Sequence, residues 1–173
     1  MTADPQTNPR ILGTLRIENG VGVVRIEDRF DTDINDLWSA VTDPGRLTRW
    51  LCDVDGDMRV GGDIRLHFHG SGWEGMSRIE ACDPPSHFRL RGQDEGLDYA
   101  TVTEVWLTAE GDKTRLVREG RGMPIDKLPA YGAGMQIEVE DLATYLAGGQ
   151  PGEAETRWAA LQSAYDALAP KSD

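Results

Sequence analysis

His67 and His69 stand two residues apart, so on a β-strand both imidazoles leave the same side, a geometry that can supply two zinc ligands. They alternate with Ile64, Leu66 and Phe68, which puts them on the solvated side of a sheet whose apolar face is buried. A third donor would have to come from the distant His87 or from Glu74, so the sequence predicts solvated histidines and no metal site. Gly70, Gly72 and Gly75 spell G-x-G-x-x-G, but a dinucleotide loop needs a helix next, and Met76 to Ala81 reads as a strand. The glycines predict a hairpin connection carrying Trp73. Asp53, Asp55 and Asp57 open like a calcium loop, yet the position of the bidentate acid is Ile64, which cannot coordinate. No serine-hydrolase, zincin or phosphate-loop motif is present, neither cysteine has an obvious base, and no cofactor is implied. Arg118 offers more. Counted along its strand it shares the face of Leu116, and an inward guanidinium keeps its charge and must be paired or solvated. It can orient a ligand carboxylate or phenolate through two parallel hydrogen bonds, pair internally with Glu138, or reach out at the rim.

The frame that holds these groups is bounded by composition. A chain of 173 residues fits one domain or one domain with a short appendage, and its 39% hydrophobic residues together with 20 glycines give a globular balance. A domain of this size buries roughly 70% of its unfolded surface and needs no disulfide or structural metal. Cys52 and Cys82 form no C-x-x-C pair and fit a reducing cytosol. With 18 Lys+Arg against 30 Asp+Glu the net charge is −12, and no basic run offers a face to nucleic acid or to an anionic membrane. Met1 to Arg10 is polar and proline-containing, lacks a signal-peptide core, and reads as a disordered tail. No long apolar run follows, so the expectation is a soluble cytoplasmic protein.

Ile11 to Ile17 and Val21 to Phe30 flank Asn19-Gly20 and predict a hairpin. Asp33 caps a short helix whose apolar face is Ile34, Leu37, Trp38 and Val41; Asp43-Pro44 stops it and opens a second helix through Trp50. From Met58 to Glu119 the period is two, broken at Gly70 to Gly72, Asp83 to Pro85, Gln93 to Asp98 and Gly111-Asp112, which predicts an antiparallel meander of five strands. Tyr131, Met135, Val139, Leu142 and Leu146 then mark a long amphipathic helix ending at Gly148-Gly149. Beyond Pro151, Trp158, Leu161, Tyr165 and Leu168 mark a last short helix, with Trp38 and Trp158 assigned to the core.

Four segments add a resemblance. They are Asp36 to Pro44 with Leu47 to Trp50, Arg59 to Arg65 (RVGGDIR), Ile79 to Pro85 (IEACDPP), and Leu107 to Asp112 with Thr114 to Leu116. In this order, over roughly residues 20 to 150, the chain resembles the activator-of-Hsp90-ATPase-like family of the SRPBCC, or START-like, superfamily. The resemblance implies an α+β helix-grip fold: a curved antiparallel sheet around a long C-terminal helix, with two short helices after the first strands. Residues 11–149 would form that domain, and 150–173 a short helix packed on it. The family's fold also implies a cavity between sheet and helix that takes a small apolar or aromatic molecule.

Parity places Ile64, Leu66, Phe68, Ile79, Phe88, Leu90, Val105, Leu107 and Leu116 toward the helix, with Thr101, Thr103 and Arg118 on the same face if no β-bulge intervenes. Trp50, Trp73, Tyr99, Met123, Tyr131, Met135 and Val139 come from the elements that meet at such a cavity. The predicted ligand site is therefore Trp50, Phe68, Trp73, Phe88, Tyr99, Thr101, Thr103, Arg118, Met123, Tyr131, Met135 and Val139. Two other functions fit the fold. A polyketide cyclase-like enzyme needs a protonatable group in the cavity, from Glu104, Glu138 or Tyr99, with Glu104 outward by parity. A chaperone-associated module, or a homodimer, needs an exposed apolar patch, for which Val102 and Trp106 are the outward candidates.

Overall fold

Asn19 and Gly20 both sit at positive φ, 52° and 79°, as a type I′ turn demands, and join β1 (Gly13–Glu18) to β2 (Val21–Phe30). The computed structural model describes residues 9–93, 100–152 and 154–170. The predicted tail therefore falls mostly outside the described residues. Arg10, the last residue of that stretch, is described: its carbonyl accepts from Gln136 Nε2 at 2.6 Å. The two short helices form as read: Asp33 Oδ1 accepts from the Asp36 amide at 2.9 Å at the head of α1 (Ile34–Thr42). Asp43 serves two helices. Its amide donates to Ser39 O at the end of α1, and its carboxylate accepts from the Arg46 amide at 3.2 Å to start α2 (Pro44–Trp50).

Six further strands follow: β3 (Cys52–Gly56), β4 (Asp63–Phe68), β5 (Glu74–Asp83), β6 (His87–Gly92), β7 (Val102–Glu110) and β8 (Lys113–Met123). All pair antiparallel in the order β1-β2-β8-β7-β6-β5-β4-β3, so the last strand of the meander docks on the first hairpin. Seven strands were expected, and eight are present among the described residues. β3 is the addition: a short edge strand whose Asp53 and Asp55 alternate with Cys52 and Val54. Acidic residues discourage further pairing at a free edge, and they also mask the apolar alternation that signals a strand.

β8 runs to buried Met123, and a single 3-10 turn at Ile125–Lys127 leads into α3 (Leu128–Leu146), whose first residue is fully buried. The segment from Gly120 to Pro129 is thus anchored at Met123 and Leu128, with Ile125, Asp126 and Lys127 exposed between them. α3 lies against the inner face of the sheet, with Ala133, Val139 and Leu142 in the core, which completes the expected helix-grip architecture. α4 (Ala154–Leu168) packs on α3 through Leu161 and Tyr165, and the Tyr165 hydroxyl donates to Gln136 Oε1 at 2.7 Å. Trp38 packs on the core edge-to-face with Phe88, their centroids 6.0 Å apart. Trp158 does not join the core; it is 39% exposed and overhangs an open groove beside α3. No helix among the described residues is long and apolar enough to cross a membrane.

The outer face of the sheet is charged. Arg115 pairs with Glu27 and Glu110, Arg121 with Glu104 and Glu119, Arg89 and Arg91 with Glu80, and Arg78 with Asp63. Val102 and Trp106 do face outward but make no exposed patch: Val102 is buried, and Trp106 is half-buried with His87 stacked on it and Arg121 over its ring at 5.7 Å. Long arginine stems cover apolar surface that strand parity alone leaves bare.

Candidate functional site

A chamber of about 220 Å³ lies between the sheet and α3. An apolar cavity of ~150 Å³ holds a benzene ring, so this one admits a larger aromatic body. Its walls are built by strand alternation: Ile64, Leu66 and Phe68 from β4, Phe88 and Leu90 from β6, and Val105 from β7 all line it, as parity predicted. Of the predicted ligand residues, Trp50, Phe68, Trp73, Phe88, Thr101, Thr103, Arg118 and Val139 line this chamber. Met123, Tyr131 and Met135 line an adjoining space of about 310 Å³ that shares Phe68, Trp73, Thr101, Thr103 and Arg118 with the first. Tyr99 lies outside the described residues. Trp50 is fixed at the end of α2 by its indole N–H, which donates to Ala40 O at 3.0 Å. Trp73, carried by the glycine hairpin, is 38% exposed and packs its ring 5.6 Å from that of Phe68 at the rim.

Sequence reasoning missed Ser77, Cys82 and Cys52, which also line the chamber. Ser77 shares the inward side of Ile79 by plain alternation, whereas Cys82 faces inward because a register shift between Ile79 and Ala81 in β5 reverses that alternation. Nothing in the local residue types announces that bulge. Cys52 was missed with β3, though the alternation of Cys52 and Val54 with aspartates was a usable signal.

The polar part of the wall is an ion pair between Arg118 on β8 and Glu138 on α3, the internal pairing that the inward parity of Arg118 allowed. Glu138 lines the chamber, the adjoining space and a third, outer groove of about 400 Å³ that reaches Asp141 and Trp158, so the ion pair stands where the three spaces meet. Arg118 Nε is buried and has no hydrogen-bond partner among the described residues. Burial, reinforced by the Glu138 and Asp53 carboxylates, pushes the Cys52 thiol up to about 12, and burial also raises that of Cys82. Both thiols are protonated at neutral pH, so neither is an activated nucleophile.

The other candidates lie elsewhere. Glu104 is on the outer face as parity required, where it accepts from Arg121 at 2.8 Å and meets His87 at 2.9 Å. His67 is half-buried and His69 exposed on that face, and both approach Asp53, whose carboxylate is held below the usual range by hydrogen bonds from Thr48 and then His69. Among the described residues no group of histidine, cysteine and acidic side chains is placed to hold a metal ion.

A helix-grip domain with a largely apolar chamber, open at a rim that carries Met58 and Trp73, is the class that fold and site define. Within it, the model of the family described as "Activator of Hsp90 ATPase homolog 1-like protein" matches residues 31–147, more than half of the chain, and the chain belongs to that family. No curated protein matches the sequence. Among solved structures the chain is similar to crystalline CalU16 from Micromonospora echinospora, with 26% identity, a TM-score of 0.75, and coverage of 92% of this chain and 96% of that one. DynU16, a protein of the dynemicin biosynthetic locus, shares the fold at 24% identity and a TM-score of 0.68, over 75% of this chain and 48% of its own. PFC0360w, an HSP90 activator from Plasmodium falciparum, shares it at 19% identity and a TM-score of 0.51, over 60% of this chain and 74% of its own.

Proposed function

We propose that this chain binds a small hydrophobic or aromatic molecule in the chamber between the sheet and α3. The observation that carries the reading is the chamber itself: aromatic and aliphatic walls around a volume larger than a benzene site, with one ion pair as the charged groups among its described lining residues. Native mass spectrometry of the purified protein, repeated after denaturation, tests it by weighing any organic molecule released. Protein that carries no such mass, and whose melting temperature is unmoved by saturating naphthalene derivatives, would remove the reading.

An enzyme resembling polyketide cyclases is the alternative, and one observation supports it. Of its three candidate acid–base groups, Glu138 lines the chamber, whereas Glu104 lies on the outer face and Tyr99 outside the described residues. Such an enzyme would act chiefly by positioning its substrate, and turnover left intact by each of Glu138→Gln, Glu104→Gln and Tyr99→Phe would eliminate that mechanism. A chaperone-associated module draws no support from the outer sheet face, because arginine–carboxylate pairs occupy the surface where its apolar patch was expected.

A further inference from the structure

We propose that Phe68 sets the length of the ligand: it divides one trough along α3 into two spaces, so that the native site takes a two-ring molecule and disfavours a rigid three-ring one. The inference rests on the ligand-binding reading above and assigns it a specificity-determining residue. The chamber meets α3 at Glu138, Val139 and Leu142, and the adjoining space meets it at Tyr131, Gly134 and Met135. The two spaces therefore follow one another along the helix, and from Tyr131 to Leu142 they span about 16 Å at ~1.5 Å per residue. Phe68 stands at their junction. Among the described residues it is the only apolar side chain that lines the chamber, the adjoining space and the outer groove. Of the other residues that the chamber and the adjoining space share, Thr101 and Thr103 are small, Trp73 sits at the rim and Arg118 is tied to Glu138, which leaves Phe68 as the apolar bulk between them. Its backbone is pinned on both sides: it pairs with Cys52 on β3, its amide donates to Trp73 O at 2.9 Å, and its carbonyl accepts from the Gly72 amide at 2.9 Å. The ring can move aside only by leaving its packing against Trp73. Volume sets the limit. A cavity of ~150 Å³ holds one benzene ring, so the chamber's 220 Å³ or so has room for two rings and not three, and a third must enter the space beyond Phe68.

Two phenols, 4-hydroxybiphenyl and 4-hydroxy-p-terphenyl, test the proposal by equilibrium dialysis, because they share one end and differ by a single phenylene that cannot fold back. The native protein should bind the two-ring phenol roughly tenfold tighter or more, since a group forced against a packed side chain is penalised. Phe68→Leu should bring the terphenyl to within about threefold of the biphenyl. Phe88→Leu removes the same bulk from a chamber wall that the adjoining space does not share, and should keep the native ratio. Native protein that binds both phenols equally would overturn the proposal while leaving the chamber a binding site, since the third ring would then leave through the rim or pass Phe68 freely. A native ratio that survives Phe68→Leu, or that Phe88→Leu relaxes as far, would overturn it too, by placing the limit elsewhere. If neither phenol binds, the chamber reading fails and this inference with it. A partly unfolded variant weakens both phenols by the same factor, so the ratio stays readable.

Discussion

His87 lies between two carboxylates, Nδ1 2.9 Å from Asp83 and Nε2 2.9 Å from Glu104, with its ring stacked on Trp106. Both nitrogens can donate only when the imidazole is protonated, and these bonds, Asp83 first and Glu104 second, raise its pKa above the ordinary value. Glu104 is pushed up by burial, but the hydrogen bonds from His87 and Arg121 outweigh that and hold it low. The sign for His87 follows from the raised folded value. Its contribution to stability is fully present below about pH 6.5, the unfolded value, and is lost as pH rises through the folded value. A melting temperature that declines by a few degrees over that interval is expected, and His87→Gln should flatten this part of the profile; a native-like decline in the variant would place its origin elsewhere.

At the scale of elements, two glycines on α3 carry opposite expectations. A methyl at Gly132 would sit 2.9 Å from Tyr165 Cδ1 and 3.1 Å from Leu15 Cδ2, so α3, α4 and β1 approach closely only because that side chain is absent. At Gly134 nothing lies within 4 Å. Gly134→Ala should therefore stabilise by about 0.5–1 kcal/mol through helix propensity, whereas Gly132→Ala should destabilise by roughly 1–3 kcal/mol through overpacking. Urea denaturation of the two variants gives both signs in one experiment. The helix pair depends likewise on Asp43, which caps α2 while ending α1; Asp43→Ala should cost about 1 kcal/mol, measured in the same way.

Across the whole molecule, Gln136 ties three distant segments together. Its Oε1 accepts from the Tyr165 hydroxyl at 2.7 Å and the Leu12 amide at 3.0 Å, while its Nε2 donates to the Arg10 carbonyl at 2.6 Å. The amide is fully buried, and the same burial pushes the Tyr165 phenol up to about 12. Gln136→Leu would strand donors and an acceptor from both ends of the chain and should cost about 2–4 kcal/mol, a fall in melting temperature of roughly 5–15 °C. Tyr165→Phe, which leaves Gln136 its bonds with Leu12, Arg10 and Glu140, should cost only about 1 kcal/mol. Equal losses in the two would show that packing of the ring, and not the shared amide, holds α4.

The sequence by itself determined what local physics controls. Asn19-Gly20 set the first hairpin, Asp33 and Asp43-Pro44 set two helix starts, and alternation chose which side of β4, β6, β7 and β8 meets α3. From that alternation the aromatic walls, Thr103 and the inward Arg118 were legible, because each follows from a period of two. Tertiary structure alone decided the rest. The bulge in β5 that turns Cys82 inward depends on pairing with β6, and the edge position of β3 depends on the whole sheet order. The exposure of Trp158 depends on where α4 lies against α3, which helical spacing cannot specify. Arg118 shows the division most plainly: its strand parity fixed the direction it faces, but the docking of α3 placed Glu138 opposite it, a long-range pairing that no local pattern specifies.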